Sequence, residues 1–273
     1  MSTRVLVDLD LARRLERTEG KSCAGIVRSL ARLHPDRAST VFEIAGCLAM
    51  FDGADSPMTQ SFGLGVFDPV ADSDLDAIEA FYHERSSPAD HEICPLSGVE
   101  LTQRLVSRGY TPTEMSNVLF RPISAEDGEA TPNPALSVRR TGADEVDLWA
   151  KTAARGWSDF GEFLDILREV AEANARVDEA HAFLVERDAE AIAAGGLFIA
   201  DGTALFAGAS TVPEARRQGA QRVLFERRLA AAYDAGCDLA VMIAEPGSSS
   251  QRNAQRNGFR IAYSRTKWRL EPR

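Results

Sequence analysis

Residues 211–222 combine arginines, a glycine and the predicted start of a helix. They follow an apolar strand predicted over Thr203 to Val212, and apolar residues recur at helical spacing behind them. The first N–H groups of a helix have no partner inside it and lie at the positive end of its dipole, which favours an anion. Gly219 lets the backbone approach that anion, and Arg216 and Arg217 add charge. The segment predicts a diphosphate site, with a purely structural turn as the alternative.

The pattern Val-Pro-x-x-Arg-x-x-Gly-x-(Gly/Ala) at the start of a helix resembles the acetyl-CoA pyrophosphate loop of the GNAT superfamily of N-acetyltransferases. Val212, Pro213, Arg216 and Gly219 match it, while Gln221 stands at its last small position. The segment from Ser249 to Phe259 resembles the family's short helix that ends in Gly-Phe before the last long strand. The resemblance implies an α/β (α+β) fold in which helices flank a mixed, mostly antiparallel sheet.

The same resemblance implies acetyl-CoA as co-substrate, without a metal. Main-chain groups near the end of the strand would bind its pantetheine arm, the N–H groups of residues 217–222 would bind its phosphates, and the Asn253 amide would contact the arm. The expected acetyl-CoA site therefore consists of Thr211, Val212, Arg216, Arg217, Gln218, Gly219, Ala220, Gln221, Arg222 and Asn253.

The family's usual general acid, a tyrosine, is missing because Ala254 occupies its position. Tyr263 and the Ser248 to Ser250 cluster are the nearest substitutes, with packing or capping as their alternative roles. Glu245, at the end of a predicted central strand, is the best-placed carboxylate for a general base, although a surface or helix-start carboxylate is equally compatible. His181 is a further candidate, but a lone histidine is more often structural.

The acceptor pocket is expected at the loop between the first two helices of the second half. Trp157 and Phe160 could form an apolar wall, while Asp159 attracts a cationic amine. The alternative places the aromatic residues in the core and the acids on a solvated face.

The composition describes an ordinary globular chain of 273 residues with 44% hydrophobic residues and a net charge of −10. This acidity argues against nucleic acid as a partner. A membrane partner is not expected either, since apolar runs of membrane-spanning length and a signal peptide are lacking, so the protein should be cytoplasmic. The four cysteines lack paired spacing and are expected to be buried or incidental thiols.

Positive charge is concentrated in two segments. Residues 246–273 hold seven basic residues against one acid, and five arginines lie at residues 216–228. We expect this charge to surround the phosphate site. For Arg227 and Arg228, a solvated helix face is the preferred reading.

The polar, Pro- and Gly-containing residues 124–134 predict a linker between two domains, 1–123 and 135–273. The first domain begins with two predicted helices, Leu9 to Glu16 and Cys23 to Leu33. Its Arg108-Gly109-Tyr110 resembles Asn257-Gly258-Phe259, which suggests a diverged repeat of the same fold. At its equivalent of the phosphate turn it has Asp68, Asp72 and Asp74, which would repel a diphosphate.

The predicted function is an acyl-CoA-dependent N-acyltransferase that moves acetyl to a primary amine of a small-molecule or peptide acceptor. The second domain would be active and the first degenerate, and a homodimer is allowed. The alternative is a non-catalytic acyl-CoA-binding or sensing module on the same fold.

Overall fold

A computed structural model describes residues 6–131, 133–158 and 164–272. The chain divides into two compact units. Unit 1 comprises Met1–Phe120 and Ile243–Arg273, and unit 2 comprises Arg121–Met242. The predicted linker at residues 124–134 lies just after the unit boundary at residue 120, and the last 31 residues, which are part of the predicted domain 135–273, group with the first half.

The helices and strands, in chain order, are α1 (Leu9–Leu33), β1 (Thr40–Ile44), β2 (Cys47–Phe51), β3 (Gln60–Phe62), α2 (Asp72–His83), β4 (Ala89–Ile93), α3 (Val99–Arg108), β5 (Thr111–Pro122), β6 (Ser137–Arg140), α4 (Val146–Gly156), α5 (Leu164–Asn174), β7 (Ala180–Arg187), β8 (Glu190–Ala200), β9 (Thr203–Thr211), α6 (Ala220–Asp234), β10 (Leu239–Ala244), α7 (Ser249–Arg256) and β11 (Arg260–Leu270). The strand predicted over Thr203 to Val212 is present as β9, and the short helix predicted after Ser249 is present as α7. None of the helices in the described ranges is both long and apolar enough to cross a membrane.

Helix α1 is continuous, so the prediction of two separate helices is wrong. The Asp8 side chain caps its start by accepting a hydrogen bond from the Leu11 N–H at 2.9 Å. Gly20, at the predicted break, lies against the sheet: a Cβ there would be 3.3 Å from both Leu48 and Phe62. The glycine therefore permits close packing of the helix on β2 and β3 and does not end it.

The strands of unit 1 lie in the order β1-β2-β3-β4-β11-β5. All neighbours are antiparallel except β3 and β4, which are parallel and pair at Ser61↔His91 and Phe62↔Glu92. Strand β11 therefore lies between two strands from the first half of the chain. Its pairing with both is the physical reason that the C-terminal residues belong to unit 1 and not to the predicted second domain.

Unit 2 contains an antiparallel run, β6-β7-β8-β9, with β10 parallel to β9. The register of β9 with β10 runs from Thr203↔Leu239 to Leu205↔Val241. Beyond Leu205, the described pairs of β9 are with β8 only. The core includes the fully buried Trp149, whose indole N–H donates to the Phe183 carbonyl at 3.1 Å. Residues 125–127 of the predicted linker form a 3₁₀ turn.

The two halves of the chain repeat one order of elements. In each, an antiparallel run of strands leads through a helix to a strand parallel to the last one: β3, α2 and β4 in the first half, and β9, α6 and β10 in the second. Each parallel strand is followed by a short helix and a long strand. The predicted mixed, mostly antiparallel sheet with flanking helices is confirmed.

Candidate functional site

The arginine- and glycine-containing turn connects β9 to α6. Just after the end of β9, the chain is hydrogen-bonded to β8, since the Val212 N–H donates to the Ile192 carbonyl at 2.9 Å. A 3₁₀ turn at Pro213–Ala215 follows, and α6 begins at Ala220. Arg217 and Gly219 both have left-handed backbones, with φ of 63° and 89°, and this conformation keeps them out of the helix.

The N–H groups of the turn and of the first two residues of α6 are available to a ligand, whereas those of the next two residues are bonded. The amides of Arg222 and Val223 donate to the Gly219 carbonyl at 3.0 and 3.2 Å. The amides of residues 217–221 make no backbone hydrogen bond within the described residues, and residues 216–219 are exposed. A Cβ on Gly219 would have 4.0 Å to its nearest neighbour, so glycine is required there for its φ and not for space.

Side chains fix the base of the turn. The Arg216 guanidinium donates to the carbonyls of Thr211 at 3.3 Å and Gly156 at 3.1 Å, which joins the turn to the ends of β9 and α4. Gln221, at the family's small-residue position, turns its amide to the Thr211 hydroxyl at 2.8 Å. The glutamine, which is larger than the family's glycine or alanine, therefore makes a hydrogen bond inside the protein.

The other arginines of this segment have different roles. Arg222 pairs with Glu226 at 2.8 Å, and Arg227 is exposed, as predicted. Arg228 is buried, so its predicted solvated position is wrong. Its guanidinium donates to the Gly196 carbonyl at 3.0 Å and lies 4.9 Å from the centre of the Phe206 ring, and burial lowers its pKa to about 9.

The expectation that the C-terminal basic residues add charge to a phosphate site is wrong for three of them. Arg269 pairs with Asp90 at 2.7 Å, and Lys267 pairs with Glu114 at 2.8 Å. Arg265 is almost fully buried and contacts several carboxylates. These side chains lie along one face of β11, where alternation brings them to the acids of unit 1.

Tyr263, the first candidate for the missing acid, is buried in unit 1. Its hydroxyl donates to Glu16 Oε1 at 2.8 Å. Burial, and then the charge of Glu16, raise the pKa of Tyr263 far above its usual value. The geometry favours the packing role. Among the serines, Ser248 caps α7 by accepting from the Gln251 N–H at 3.1 Å, which is the capping alternative.

Glu245 and Asn253 also belong to unit 1. Glu245 is exposed just after β10 and lines a cavity of about 750 Å³. Asn253 lies in α7, where its main-chain carbonyl accepts from the Asn257 side chain at 2.8 Å. Ala254 is fully buried beside it. The turn, in contrast, belongs to unit 2, and the roles of Glu245 and Asn253 stay predictions.

Of the predicted acceptor residues, only Trp157 lies in the described part of the chain, since Asp159 and Phe160 fall outside it. Trp157 is half-buried and packs against the cluster around Trp149. This contact supports its alternative role in the core. His181 is also half-buried in β7, and burial together with Arg140 lowers its pKa.

The aspartates of the first half have structural partners. Asp72 pairs with Arg104 at 2.7 Å, and Asp74 accepts from the Ala71 N–H at 2.7 Å at the start of α2. These contacts support the expected use of the acids as helix-start residues. That this half does not bind a diphosphate stays a prediction.

The sequence reasoning missed two buried polar networks in unit 1. In the first, Arg265 binds Glu16, Glu19 and Glu92. In the second, the His91 ring bridges the hydroxyls of Ser61 at 2.6 Å and Tyr110 at 2.9 Å, and burial lowers its pKa to about 4. The alternation of Tyr263, Arg265 and Lys267 was a signal of the first network, because charged residues that share a strand face with buried ones need partners.

Comparison with known proteins agrees with this geometry. Residues 129–244 match the family model of the acetyltransferase (GNAT) domain, which spans the turn and the strands on both sides of it. No curated protein matches the chain.

Solved structures resemble most of the chain at low identity. A GCN5-related N-acetyltransferase from Kribbella flavida is 17% identical, with a TM-score of 0.59 over 90% of this chain and 95% of that one. A putative GNAT-family acetyltransferase from Novosphingobium aromaticivorans is 14% identical, with a TM-score of 0.54 over 90% and 96%.

A tandem GNAT protein from the clavulanic acid biosynthesis pathway is 10% identical, with a TM-score of 0.55 over 72% of this chain and 67% of that one. At these identities the likeness concerns the fold alone, and the tandem protein agrees with the order of elements that both halves repeat. The motif, the geometry of the turn and the family model agree, and the chain therefore carries a GNAT acetyltransferase domain over residues 129–244.

Proposed function

We propose that this protein transfers the acetyl group of acetyl-CoA to a primary amine. The observation that supports this most directly is the turn at residues 217–221, which is exposed at 217–219 and whose amides make no backbone hydrogen bond among the described residues. Such amides at a helix N-terminus are suited to a diphosphate. The match of residues 129–244 to an acetyltransferase family supports the chemistry.

The residues of the turn would hold the co-substrate by charge and by hydrogen bonds. The amides of residues 217–221 would donate to phosphate oxygens, with Arg217, exposed and left-handed, supplying positive charge beside them. Acetyl-CoA supplies the activated acyl group. Transfer forms a bond between the amine nitrogen and the acetyl carbon and breaks the bond to sulfur, and the proton lost by the amine balances the one gained by the thiolate.

Two substitutions at Gly219 test the phosphate site. Asn and Asp both tolerate a positive φ better than other side chains, and they are alike in size, so Gly219→Asn and Gly219→Asp differ mainly in charge. Like charges about 4 Å apart repel by about 4 kcal/mol at an effective dielectric constant of 20. We expect the Asp variant to bind acetyl-CoA at least ~100-fold more weakly than the Asn variant, which corresponds to about 2.8 kcal/mol.

The binding is measured by calorimetric titration beside a melting curve for each variant. Gly219→Val is a poorer probe, because a β-branched residue at φ 89° would destabilise the fold as well as the site. Equal affinities of the Asn and Asp variants, with equal melting temperatures, would refute the phosphate site.

One observation favours the non-catalytic alternative. Ala254 occupies the position of the family's usual acid, and Tyr263 is engaged by Glu16. A transfer assay over a panel of primary amines, with detection of released thiol, separates the two functions. The transferase predicts acetyl-CoA-dependent thiol release that requires an amine and is lost in Gly219→Asp. Binding of acetyl-CoA without thiol release on any amine of the panel would favour the sensing module.

A further inference from the structure

Unit 1 contains a cavity, and the function proposed for the turn before α6 gives this cavity no role. Its volume of about 750 Å³ lies within the usual range for small-molecule sites, roughly 300–1,000 Å³. Four carboxylates line it, together with one guanidinium, and the remaining wall includes apolar side chains. The carboxylates belong to Glu19, Glu92, Glu114 and Glu245, and the guanidinium to Arg265.

The carboxylates lie at two depths. The side chains of Glu19 and Glu92 are 12% and 9% exposed, whereas that of Glu114 is 63% exposed and Glu245 is also exposed. Met115, Ile243 and Pro246 supply the apolar part of the lining. The cavity therefore combines buried carboxylates, exposed carboxylates and aliphatic surface.

Arg265 is not available to an anionic ligand. Its Nη1 and Nη2 atoms lie 2.6 and 2.7 Å from the two oxygens of Glu19. Its Nε atom lies 2.9 Å from Glu92, and Nη1 lies 3.3 Å from Glu16 behind the cavity wall. Three carboxylates thus surround one guanidinium, and the charges of Glu19 and Glu92 alone already exceed that of Arg265.

The second cation of the cluster does not remove this excess. The Lys267 ammonium lies 2.8 Å from Glu114 and 3.6 Å from Glu92. The Glu245 main-chain carbonyl accepts from the Ser248 N–H at 3.2 Å, but its carboxylate makes no hydrogen bond or ion pair with the part of the chain that the structure describes. Even without Glu16, the four lining carboxylates outnumber the two cations, so the field in the cavity favours a positively charged ligand.

The size and lining favour an organic cation over a metal ion. No group of three or more metal-binding side chains in the described residues could hold an ion, and the cavity is far larger than one. The aliphatic wall suits a methylene chain, which gains from removal of apolar surface from water. The buried and the exposed carboxylates each suit an ammonium group, one at each end of such a chain.

We propose that the unit 1 cavity binds a small aliphatic diamine, with its ammonium groups at the buried and the exposed carboxylates and its methylene chain along Met115, Ile243 and Pro246. This is the class of compound to which the acceptor of the proposed function belongs. The inference rests on the lining of the cavity alone and does not require acetyl transfer.

The test is calorimetric titration of the full chain with 1,5-diaminopentane, without acetyl-CoA. Pentylamine keeps one ammonium group, and 1,5-pentanediol keeps the chain length and hydrogen bonding without charge. We expect the diamine to bind at least ~10-fold more tightly than pentylamine, and no measurable heat from the diol. Absence of heat with the diamine, or equal binding of diamine and diol, would overturn the proposal.

Variants locate the site. Glu114 and Glu245 are exposed, so Glu114→Gln with Glu245→Gln removes two charges with little risk to folding. We expect this double variant to weaken diamine binding about tenfold, and Glu100→Gln, an exposed acid on α3, to leave it unchanged. Equal Kd values for the double variant and wild type, with both folded in a melting curve, would place the diamine elsewhere and refute the cavity site.

Titration with sodium phosphate provides the opposite test of charge. Binding of phosphate that is lost in the double variant would show an anion site, in contradiction to the proposal. Because acetyl-CoA is absent from these titrations, failure of diamine binding leaves the Gly219 tests unaffected, and failure of acetyl transfer leaves these titrations unaffected.

Discussion

Removal of one atom, the hydroxyl oxygen of Tyr263, distinguishes the packing role of this residue from a role as general acid. Its hydroxyl is the group that donates to Glu16, in a buried environment where a hydrogen bond to a charged partner contributes about 1.5–3 kcal/mol. We expect Tyr263→Phe to lower the free energy of unfolding by about that amount, measured by denaturant titration, and to change turnover less than threefold. Tyr233→Phe, at an exposed position on α6, serves as the matched control.

A large loss of turnover in Tyr263→Phe would instead support the role of Tyr263 as general acid. A positioned proton donor contributes about 10²-fold or more to rate. A loss of that size in Tyr263→Phe, with unfolding unchanged, would contradict the packing role.

Glu16 gives a pH dependence of stability whose sign is fixed. Burial raises its pKa from 4.5 to about 7, although Arg265 opposes the shift and Tyr263 donates to the charged form, while Glu19 and Glu92 add to it. The folded chain therefore holds this proton more tightly than the unfolded chain. As the pH rises from about 4.5 to about 7, stability from this group is lost, by at most about 3 kcal/mol.

The Glu16→Gln variant isolates this contribution. We expect the difference in unfolding free energy, wild type minus variant, to fall as the pH rises through that window, measured by denaturant titration at a series of pH values. Glu100→Gln again provides an exposed control, for which the difference should stay flat. A difference that is constant or rises for Glu16→Gln would contradict the raised pKa.

Residue types alone predicted the left-handed turn before α6 but not the partners of charged side chains. Gly219 could be identified because its backbone role depends on local sequence. Arg228 and Arg265 could not, since their partners, the Gly196 carbonyl and the acids of α1 and β4, are distant in sequence. An arginine on a predicted helix face has the same local pattern whether it is solvated or buried.

At the scale of elements, periodicity predicted strand β9 and the helix that follows its turn, but it did not predict which strands lie next to each other. Helix α1 shows one limit, because Gly20 has the local signature of a break while its packing on Leu48 and Phe62 keeps the helix continuous. Strand β11 shows another. Its alternating pattern predicts a strand, but the pattern does not specify that β4 and β5 lie on its two sides.

The position of β11 makes a prediction about truncation. A fragment of residues 134–273 keeps β11 but lacks β4 and β5, so both edges of an eleven-residue strand lose their partners. Unpaired strand edges promote aggregation. We expect this fragment to aggregate or to lose cooperative unfolding, as measured by light scattering and circular dichroism, whereas the full chain unfolds cooperatively.

This expectation replaces the simpler one that follows from a boundary at residue 134, in which the second half folds alone and keeps its affinity for acetyl-CoA. A monomeric 134–273 fragment with a cooperative melting transition would show that β11 does not need its partners from the first half.

At the scale of the whole molecule, the two halves repeat an order of elements but differ in their turns. The turn before α6 has amides without a backbone partner in the described ranges and a left-handed glycine, whereas Asp72 and Asp74 are engaged at the start of α2. We expect one acetyl-CoA per full-length chain by calorimetric titration, and none in Gly219→Asp. A second site that survives in Gly219→Asp would show that the first half also binds the co-substrate.

The repeat could be inferred from sequence because Arg108-Gly109-Tyr110 and Asn257-Gly258-Phe259 both stand before a long strand. The grouping into units could not. A linker-like composition at residues 124–134 marks where the chain passes from one unit to the next, but the return at residue 243 occurs inside β10, where the composition does not change. Chain order alone carries no signal for such a return.

The place of β11 also has a consequence during synthesis on the ribosome. Thr113 of β5 contacts Lys267 of β11 across 154 residues, and at about 5–20 residues per second β5 waits about 8–30 s for this neighbour to be made. Contacts so distant in sequence slow folding. Throughout that interval β4 and β5 each present an unpaired edge, and we expect nascent chains stalled before residue 260 to depend on chaperones that bind exposed strands.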